Sequence, residues 1–486
     1  MALNLSKAAR FLGTNVPSIS GSITGVTHDS RSVRPGYAFV AVPGFKRDGV
    51  EFVPEALKRG ATLIVAERDI PGAPVAVVLD ARAALADLAR AVSGDPSERM
   101  EVYGVTGTNG KTTTSYALYS ILNAAFGEPA CGLMTTAEAV LAGERRPASR
   151  TTPEAPEVQG TLAEMLAKGV HRVVMEVSSH GVALRRVTGT RFTGALFTNL
   201  TRDHLDLHGS MEEYYAAKRE LFRWTKGPKL ANAEDEWGRR LAREVGGVET
   251  FGGVDGADYR VEGVRASLLG TSFTLRHPGG VLKVESPLLG HYNVLNVAGA
   301  AALALAVGIE GEVVGRAVGE MPQVPGRFER VASGTGFEVI VDYAHTEVGL
   351  AAVLEVARKA VGEDVGRVIC VFGAAGDRDR AKRPLMGRVA TGLADWSIVT
   401  TDDAYSEDPA KIAEEVASGA DPERSEVILD RRDAIRRALG EARDGDVIVV
   451  AGKGHEQVQH LPGGDVPFHD ASVVRALLKS AKKTER

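Results

Sequence analysis

The last third of the chain fixes the fold class first. EVIVDYAH (338–345), RVICVFG (367–373), WSIVTT (396–401), EVILD (426–430) and DVIVVAG (446–452) are short, apolar and rich in β-branched residues, and helical segments separate them. Strands that read as continuous apolar runs are buried on both faces, which means mostly parallel sheets covered by helices. The first hundred residues repeat the pattern with YAFVAV (37–42), TLIVAE (62–67) and VAVVLD (75–80), interleaved with FVPEALKRG and ALADLARAV. Polar junctions at SGDPSER (93–99) and PQVPGRFER (322–330) divide the chain into three α/β blocks, 1–98, 99–321 and 322–486. A length of 486 residues is too great for one ordinary core and agrees with that division.

The second block opens on VYGVTGTNGKTTTSYAL (102–118), a strand, a glycine-rich loop and a helix in the order a phosphate-binding loop requires. The usual spelling, G-x-x-x-x-G-K-[ST], would put its first glycine where Val105 stands. The mechanism survives the spelling. Gly107 and Gly110 permit close backbone approach, Lys111 can reach terminal phosphates, Thr112 carries a hydroxyl for Mg²⁺, and a helix N-terminus favours an anion. Leu118, Ile121, Leu122 and Ala125 then recur on one helical face. The bland alternative is a glycine-rich turn with an incidental lysine.

Other polar clusters in this block end apolar strands. VVMEVSSHG (173–181) runs into Glu176, Ser178, Ser179 and His180, and ALFTNLTRDHLDLHGS (195–210) into Asp203, His204, Asp206 and His208. Beside a P-loop, a carboxylate and an imidazole can hold Mg²⁺, with Glu176 the stronger ligand because Mg²⁺ prefers oxygen. A solvated loop is the competing reading, and HLDLH is not a zinc motif. On EEYYAAKRELF (212–222), local pattern makes Lys218 a snorkelling surface lysine.

Composition excludes several classes. With 58 basic against 63 acidic side chains, the net charge of −5 offers no footprint for nucleic acid. Cys131 and Cys370 are the only cysteines, so there is no disulfide framework and a reducing compartment fits. No apolar run is long enough to span a membrane, and MALNLSKAARFLG is no secretory leader. The expectation is a cytoplasmic monomer acting on small molecules, without nucleic acid or membrane insertion.

GTNGKTT, MEVSSHG, NLTRDHLDLHG, the lysine of YYAAKRELF, GHYNVLN (290–296), PGRFE, VDYAHT, GDRDRAKRP (376–384) and AGKGHE (451–456) occur in this order. Together they resemble the Mur ligases, the ATP-dependent amide-forming enzymes that build the peptidoglycan stem peptide. Within that family they most resemble the branch adding the third residue. HDSRSVRPGYAFVAVPGFKRDG resembles the uridine-nucleotide domain of that branch. The resemblance spans the chain and implies a uridine-nucleotide-binding α/β domain (1–98), a P-loop ATPase-like domain (99–321) and a Rossmann-like amino-acid-binding domain (322–486).

The resemblance also implies roles. Gly107, Thr108, Asn109, Gly110, Lys111, Thr112 and Thr113 would hold ATP phosphates, and Asn293 or Asn296, Arg327 and Asp342 match positions around the adenosine. Glu176, His204 and Thr112 would hold Mg²⁺, joined by Lys218, which matches a lysine that CO₂ converts into a carboxylate-like carbamate. His28, Ser30, Phe45, Lys46, Arg47, Thr151, Thr152, Ser178 and Arg186 match contacts to the UDP-sugar-peptide. Leu184 departs from the family, which often has glutamine there. Arg383, Asp402, Asp403, Ala404, Tyr405, Gly452 and Glu456 would bind the amino acid.

The implied chemistry is phosphorylation of a D-glutamate side-chain carboxylate, attack of an amine on the acyl phosphate and release of phosphate, in a site that closes against water. Members that add meso-diaminopimelate carry Asp-Asn-Pro-Arg where this chain has Asp402, Asp403, Ala404 and Tyr405. Tyrosine cannot replace the arginine fork that grips the distal carboxylate, and Asp403 adds a charge that favours a distal ammonium. The expectation is therefore L-lysine or L-ornithine, with meso-diaminopimelate as the alternative if another arginine takes over. Another Mur or folylpolyglutamate-type ligase, or a P-loop switch ATPase, are the remaining readings.

Overall fold

The computed structural model describes residues 3–14, 21–44, 47–148, 150–267, 270–331, 336–361 and 366–484. Phe45 and Lys46, expected at the sugar-nucleotide site, lie outside these residues. The chain forms two compact units, one of residues 1–261, 276–282 and 296–317, the other of residues 262–275, 283–295 and 318–486.

The first unit holds a small and a large sheet. The small one runs in chain order through β1 (Gly25–Thr27), β2 (Tyr37–Val40), β3 (Leu63–Ala66) and β4 (Val75–Val77), all parallel. Val40, Leu63 and Val65 pack on one face against α1 (Ala81–Ser93), while Phe39 and Ile64 pack on the other. No unit boundary falls near residue 98: the first expected block keeps its own sheet and core yet shares the unit with the central block.

The large sheet uses β5 (Glu101–Thr106), α2 (Lys111–Phe126), β6 (Cys131–Met134), β7 (Glu138–Leu141), α3 (Ala155–Ala167), β8 (Arg172–Glu176), β9 (Gly194–Phe197), α4 (Met211–Trp224), β10 (Lys229–Asn232) and β11 (Val248–Gly252). Seven of its eleven strands run in the order β7-β6-β8-β5-β9-β10-β11, and among these seven only the β6–β7 pair is antiparallel. The strand following α2 does not lie beside β5; β8 and β9 do, so their carboxyl ends flank the loop that β5 launches. Helix α2 is not the one-sided helix its apolar spacing suggests, because Thr112 to Leu118 are all buried.

In the second unit, the sheet order is β12-β13-β17-β14-β15-β16, built from β12 (Glu329–Arg330), β13 (Glu338–Asp342), β14 (Val368–Phe372), β15 (Trp396–Val399), β16 (Ser425–Val427) and β17 (Val447–Ala451). All pairs are parallel except edge strand β12 with β13. The apolar runs that defined the fold class form its centre, with Ile369, Val371, Ile448 and Val450 each 0 % exposed. Among the described residues, no helix is long and apolar enough to cross a membrane.

Candidate active site

The loop after β5 explains its own spelling. Val105 is still strand: it is fully buried, pairs with Glu176 across β8, and its carbonyl accepts the Val177 N–H at 2.8 Å. The turn begins at Gly107, whose φ of 150° and lack of a side chain are both needed, since a Cβ there would lie 1.8 Å from Thr198 Oγ1. Gly110, at φ 83°, makes the second close approach, against Asn296. Gly110 is the N-cap of α2 and supplies no side-chain cap, so the first-turn N–H groups face outward as an anion seat.

Neighbouring strand ends hold this loop in shape. Asn109 N–H donates to Asn199 Oδ1 at 2.9 Å, Thr198 Oγ1 donates to Asn109 O at 2.6 Å, and Thr108 Oγ1 lies 3.1 Å from the Tyr214 hydroxyl. Lys111 Nζ folds onto the loop, donating to Gly107 O at 3.1 Å and Thr108 O at 2.8 Å.

Lys218 overturns its local reading. The side chain is 1 % exposed, not snorkelling, because Tyr214, Lys218, Leu221 and Phe222 share the inner face of α4. Its Nζ donates to Gly107 O at 2.7 Å and lies 4.6 Å from the centre of the Tyr214 ring. Burial, with Lys111 adding to it, holds the ammonium well below its ordinary pKa, against the pull of Asp203.

Glu176 ends β8 with a fully buried carboxylate that accepts the Thr136 N–H and hydroxyl, each at 3.0 Å. Thr136 Oγ1 also lies 3.0 Å from Thr151 Oγ1, and Thr152 Oγ1 donates to Glu176 O at 2.9 Å while accepting the Ser178 N–H at 3.0 Å. Arg186 donates to Thr152 O at 3.1 Å and pairs with Glu154 at 2.8 Å. Thr151, Thr152, Ser178 and Arg186 are thus brought together with Glu176. Thr136 and Glu154 were missed in the sequence, although Glu154 follows Thr151-Thr152-Pro153 directly and collects Arg150 at 2.7 Å as well.

Of the remaining expected contacts, His28 is half-buried, and burial lowers its pKa against the opposing field of Glu154, which sets it near the same group. Ser30 donates to Glu55 at 2.8 Å, and Arg47 pairs with Glu51 at 2.8 Å over the Phe52 ring. His204 has a left-handed φ of 53°, with Asp203 3.4 Å from its Nε2. His180 and His204 rings meet edge-on at 4.7 Å. Glu176 and Thr112 offer the oxygen donors a Mg²⁺ ion prefers, and Lys218 joins such a set only once its amine carries a carboxylate; on donor chemistry the residues fit the ion.

The second unit carries the other groups at its own strand ends. Asp342 ends β13 and accepts the Phe328 N–H at 2.6 Å and the Ala344 N–H at 2.8 Å, and burial raises its pKa against Arg327. Arg327 lies over the Tyr343 ring at 4.5 Å. Asn293 donates to Leu289 O at 2.8 Å, whereas Asn296 lies in the first unit, where Thr114 donates to its Oδ1 at 3.4 Å.

Asp402, Asp403 and Glu456 converge beyond β15 and β17, close enough to resemble a metal site. The centre of the cluster is filled by Lys453, fully buried, whose Nζ sits 2.7 Å from both Asp403 Oδ1 and Glu456 Oε2. Sequence reading quoted AGKGHE and left this lysine unassigned. Burial pushes Glu456 up to about 7, against Lys453 and with Asp402 and Asp403 adding to the rise. Gly452, at φ 114°, leaves room for Asp402 Oδ2, which a Cβ would approach to 2.2 Å. Ala404 is buried, and Tyr405 stacks on His460 at 5.1 Å. Arg383 is fully buried, its fork turned onto Glu407 at 2.9 Å and Glu415 at 2.7 Å and not toward open space.

Parallel sheets with an anion-binding loop on the first and a titratable cluster on the second define a P-loop α/β enzyme. Family descriptions match consecutive parts of the chain: "Mur ligase family, catalytic domain" over residues 22–93, "Mur ligase middle domain" over 105–304 and "Mur ligase, glutamate ligase domain" over 326–454. A UDP-N-acetylmuramoyl-L-alanyl-D-glutamate--2,6-diaminopimelate ligase of Solibacter usitatus is 45 % identical over 469 residues, 94 % of each chain. An Aquifex aeolicus protein of the same name is 40 % identical over 98 % of each. A solved structure of a ligase so named superposes with TM-score 0.69 at 30 % identity, covering 99 % of this chain and 100 % of that one. The chain belongs to the Mur ligase family, and it is an ATP-dependent ligase of three α/β domains.

Proposed function

We propose that this ligase joins meso-diaminopimelate to the D-glutamate side chain of UDP-N-acetylmuramoyl-L-alanyl-D-glutamate in the cytoplasm, at the cost of ATP. The expectation of L-lysine or L-ornithine gives way. That expectation rested on an uncompensated Asp403, and the observation that carries the change is the Lys453 ammonium 2.7 Å from its carboxylate. With that charge already met inside the protein, Asp403 has little left with which to select a distal ammonium. The names of the relatives support the same substrate.

The residues then take these roles. The P-loop backbone and Lys111 cradle the phosphates of ATP, and Lys111 exchanges its loop carbonyls for phosphate oxygens as charge develops. Glu176, Thr112, His204 and Lys218, once carbamylated, would hold Mg²⁺, which when bound would neutralise phosphate charge. Carbamylation needs a neutral amine, and burial of Lys218 favours that form. The glutamate carboxylate oxygen attacks the γ-phosphorus, ADP leaves, and an acyl phosphate forms. The amine of the diamino acid attacks that carbonyl, loses a proton and expels phosphate. Thr151, Thr152, Ser178 and Arg186 orient the nucleotide substrate, while Arg327 and Asp342 serve the adenosine.

Mass analysis of the product, with each of the three substrates omitted in turn, tests this reading. The expected result is an amide product and one ADP per product, only when all three are present. ADP release independent of the diamino acid would contradict it.

A further inference from the structure

At the edge of the large sheet opposite the P-loop lies a pocket of about 670 Å³, a volume within the range of small-molecule sites. Strands β5, β9, β10 and β11 are parallel, and the P-loop leaves the carboxyl end of β5. Pro228 and Gly247, in the pocket wall, stand just before the amino ends of β10 and β11. Every described residue lining the pocket belongs to the first unit, and none belongs to the P-loop or to the Glu176 and Lys218 cluster.

Its charge has one sign. Glu249 is the single carboxylate of the described lining, which contains neither Lys nor Arg. The Tyr259 hydroxyl lies 3.5 Å from Glu249 Oε2, the long limit of a hydrogen bond. Burial, with Glu249 adding to it, lifts the phenol to about 12, so it stays neutral. Among the described residues no basic side chain comes within ion-pair distance of Glu249, and Lys229, beside the wall, is turned onto Gly246 O at 3.1 Å.

A helix end adds to the same field. The helix His291–Ala306 brings Leu305 and Ala306 into the wall and closes there, with the Gly308 N–H on Leu305 O at 2.9 Å and the Ile309 N–H on Ala304 O at 3.0 Å. This is the negative end of the helix dipole, and its last turn carries no basic residue. A carboxylate and a helix C-terminus sharing one pocket repel each other, and a cation relieves both. The Tyr259 and His277 rings, parallel within 6° at 6.5 Å between centres, supply the aromatic surface that cations favour. His277 Nδ1 accepts the Gly279 N–H at 3.2 Å, which keeps that nitrogen unprotonated. Leu305 and Ile309 make the remaining wall apolar.

We propose that this pocket binds a small organic ammonium ion with an aromatic or apolar body. The ammonium sits between Glu249 and the helix end, and the body lies against Tyr259, Leu305 and Ile309. The site is separate from the ligase reaction and does not depend on which amino acid is joined.

Calorimetric titration of 2-phenylethylammonium tests it, on the full chain with ADP, Mg²⁺ and meso-diaminopimelate present in excess to fill the active site. Wild type should bind one equivalent with a Kd of about 1 mM or tighter, in keeping with so small a ligand. 2-Phenylethanol, the same shape without the charge, should bind at least about tenfold more weakly. Glu249→Gln should weaken the ammonium about tenfold or more, and Ala306→Phe, which fills the pocket, should abolish its binding. Both variants should keep kcat and KM for ATP within about twofold of wild type, which shows that they fold. No saturable binding by wild type up to about 10 mM overturns the proposal. Equal binding in Glu249→Gln, or equal binding of 2-phenylethanol, overturns it as well.

Discussion

The amine of Lys218, 111 residues further along the chain, donates to the carbonyl of Gly107 at 2.7 Å. The first residue of the phosphate-binding turn is therefore tied directly to the buried lysine, and what happens to that amine is felt by the loop. Lys111 donates to the same carbonyl at 3.1 Å, so two cationic side chains converge on one oxygen. Burial first, and repulsion from Lys111 second, favour loss of a proton at Lys218.

Lys218→Ala should abolish turnover, and short carboxylates should restore part of it by occupying the place of the carbamate. Carbon-13 NMR of enzyme in labelled bicarbonate should show a carbamate signal in wild type and none in the variant. A wild-type protein fully active with no such signal would refute the carbamate.

For Lys111→Ala, the fold should survive, since its amine is bonded to carbonyls of its own loop and a loop lysine carries little packing. Turnover should fall by about 10²–10³, the loss typical of removing one electrostatic donor from a developing charge. Circular dichroism and kcat measured together check both halves of the claim.

The fold was legible because parallel strands buried on both faces must be apolar throughout, and EVIVDYAH or DVIVVAG have no other stable use. The P-loop was legible for a local reason: strand, turn and helix are contiguous. Lys218 and Lys453 were not legible from local pattern. Each looks like a surface lysine until tertiary packing sets Tyr214 beside one and Asp403 against the other. Thr136 was invisible for the same reason, since its bond to Glu176 crosses 40 residues of sequence. Asp403 was read correctly as a charge and wrongly as an uncompensated one.

Replacing Lys453 with Met leaves Asp403 and Glu456 buried without a counter-charge. Removing one partner of a buried pair typically costs about 3–5 kcal/mol, so the melting temperature should fall clearly. In whatever folds, discrimination between meso-diaminopimelate and L-lysine should shrink, because Asp403 without its ammonium partner repels the distal carboxylate that L-lysine lacks. Calorimetry and paired KM values measure the two effects. Unchanged stability would mean that the pair is not formed in solution.

Glu456, held up at about 7 by burial, predicts a pH dependence. If its carboxylate receives the ammonium of the diamino acid, binding requires the deprotonated form. KM for the amino acid should then fall as pH rises from roughly 6 to roughly 8 and level off above, about tenfold per pH unit at most on the acid side. Glu456→Gln should raise KM and flatten the profile. A slope that persists in the variant would assign the titration elsewhere.

The most direct measurement is a competition at equal concentrations of meso-diaminopimelate, L-lysine and L-ornithine, with ATP and UDP-N-acetylmuramoyl-L-alanyl-D-glutamate, read as product masses. The account predicts the meso-diaminopimelate product in excess of either other by at least about tenfold, a margin that one charge-assisted carboxylate contact supplies. Dominance of the L-lysine or L-ornithine product would contradict it.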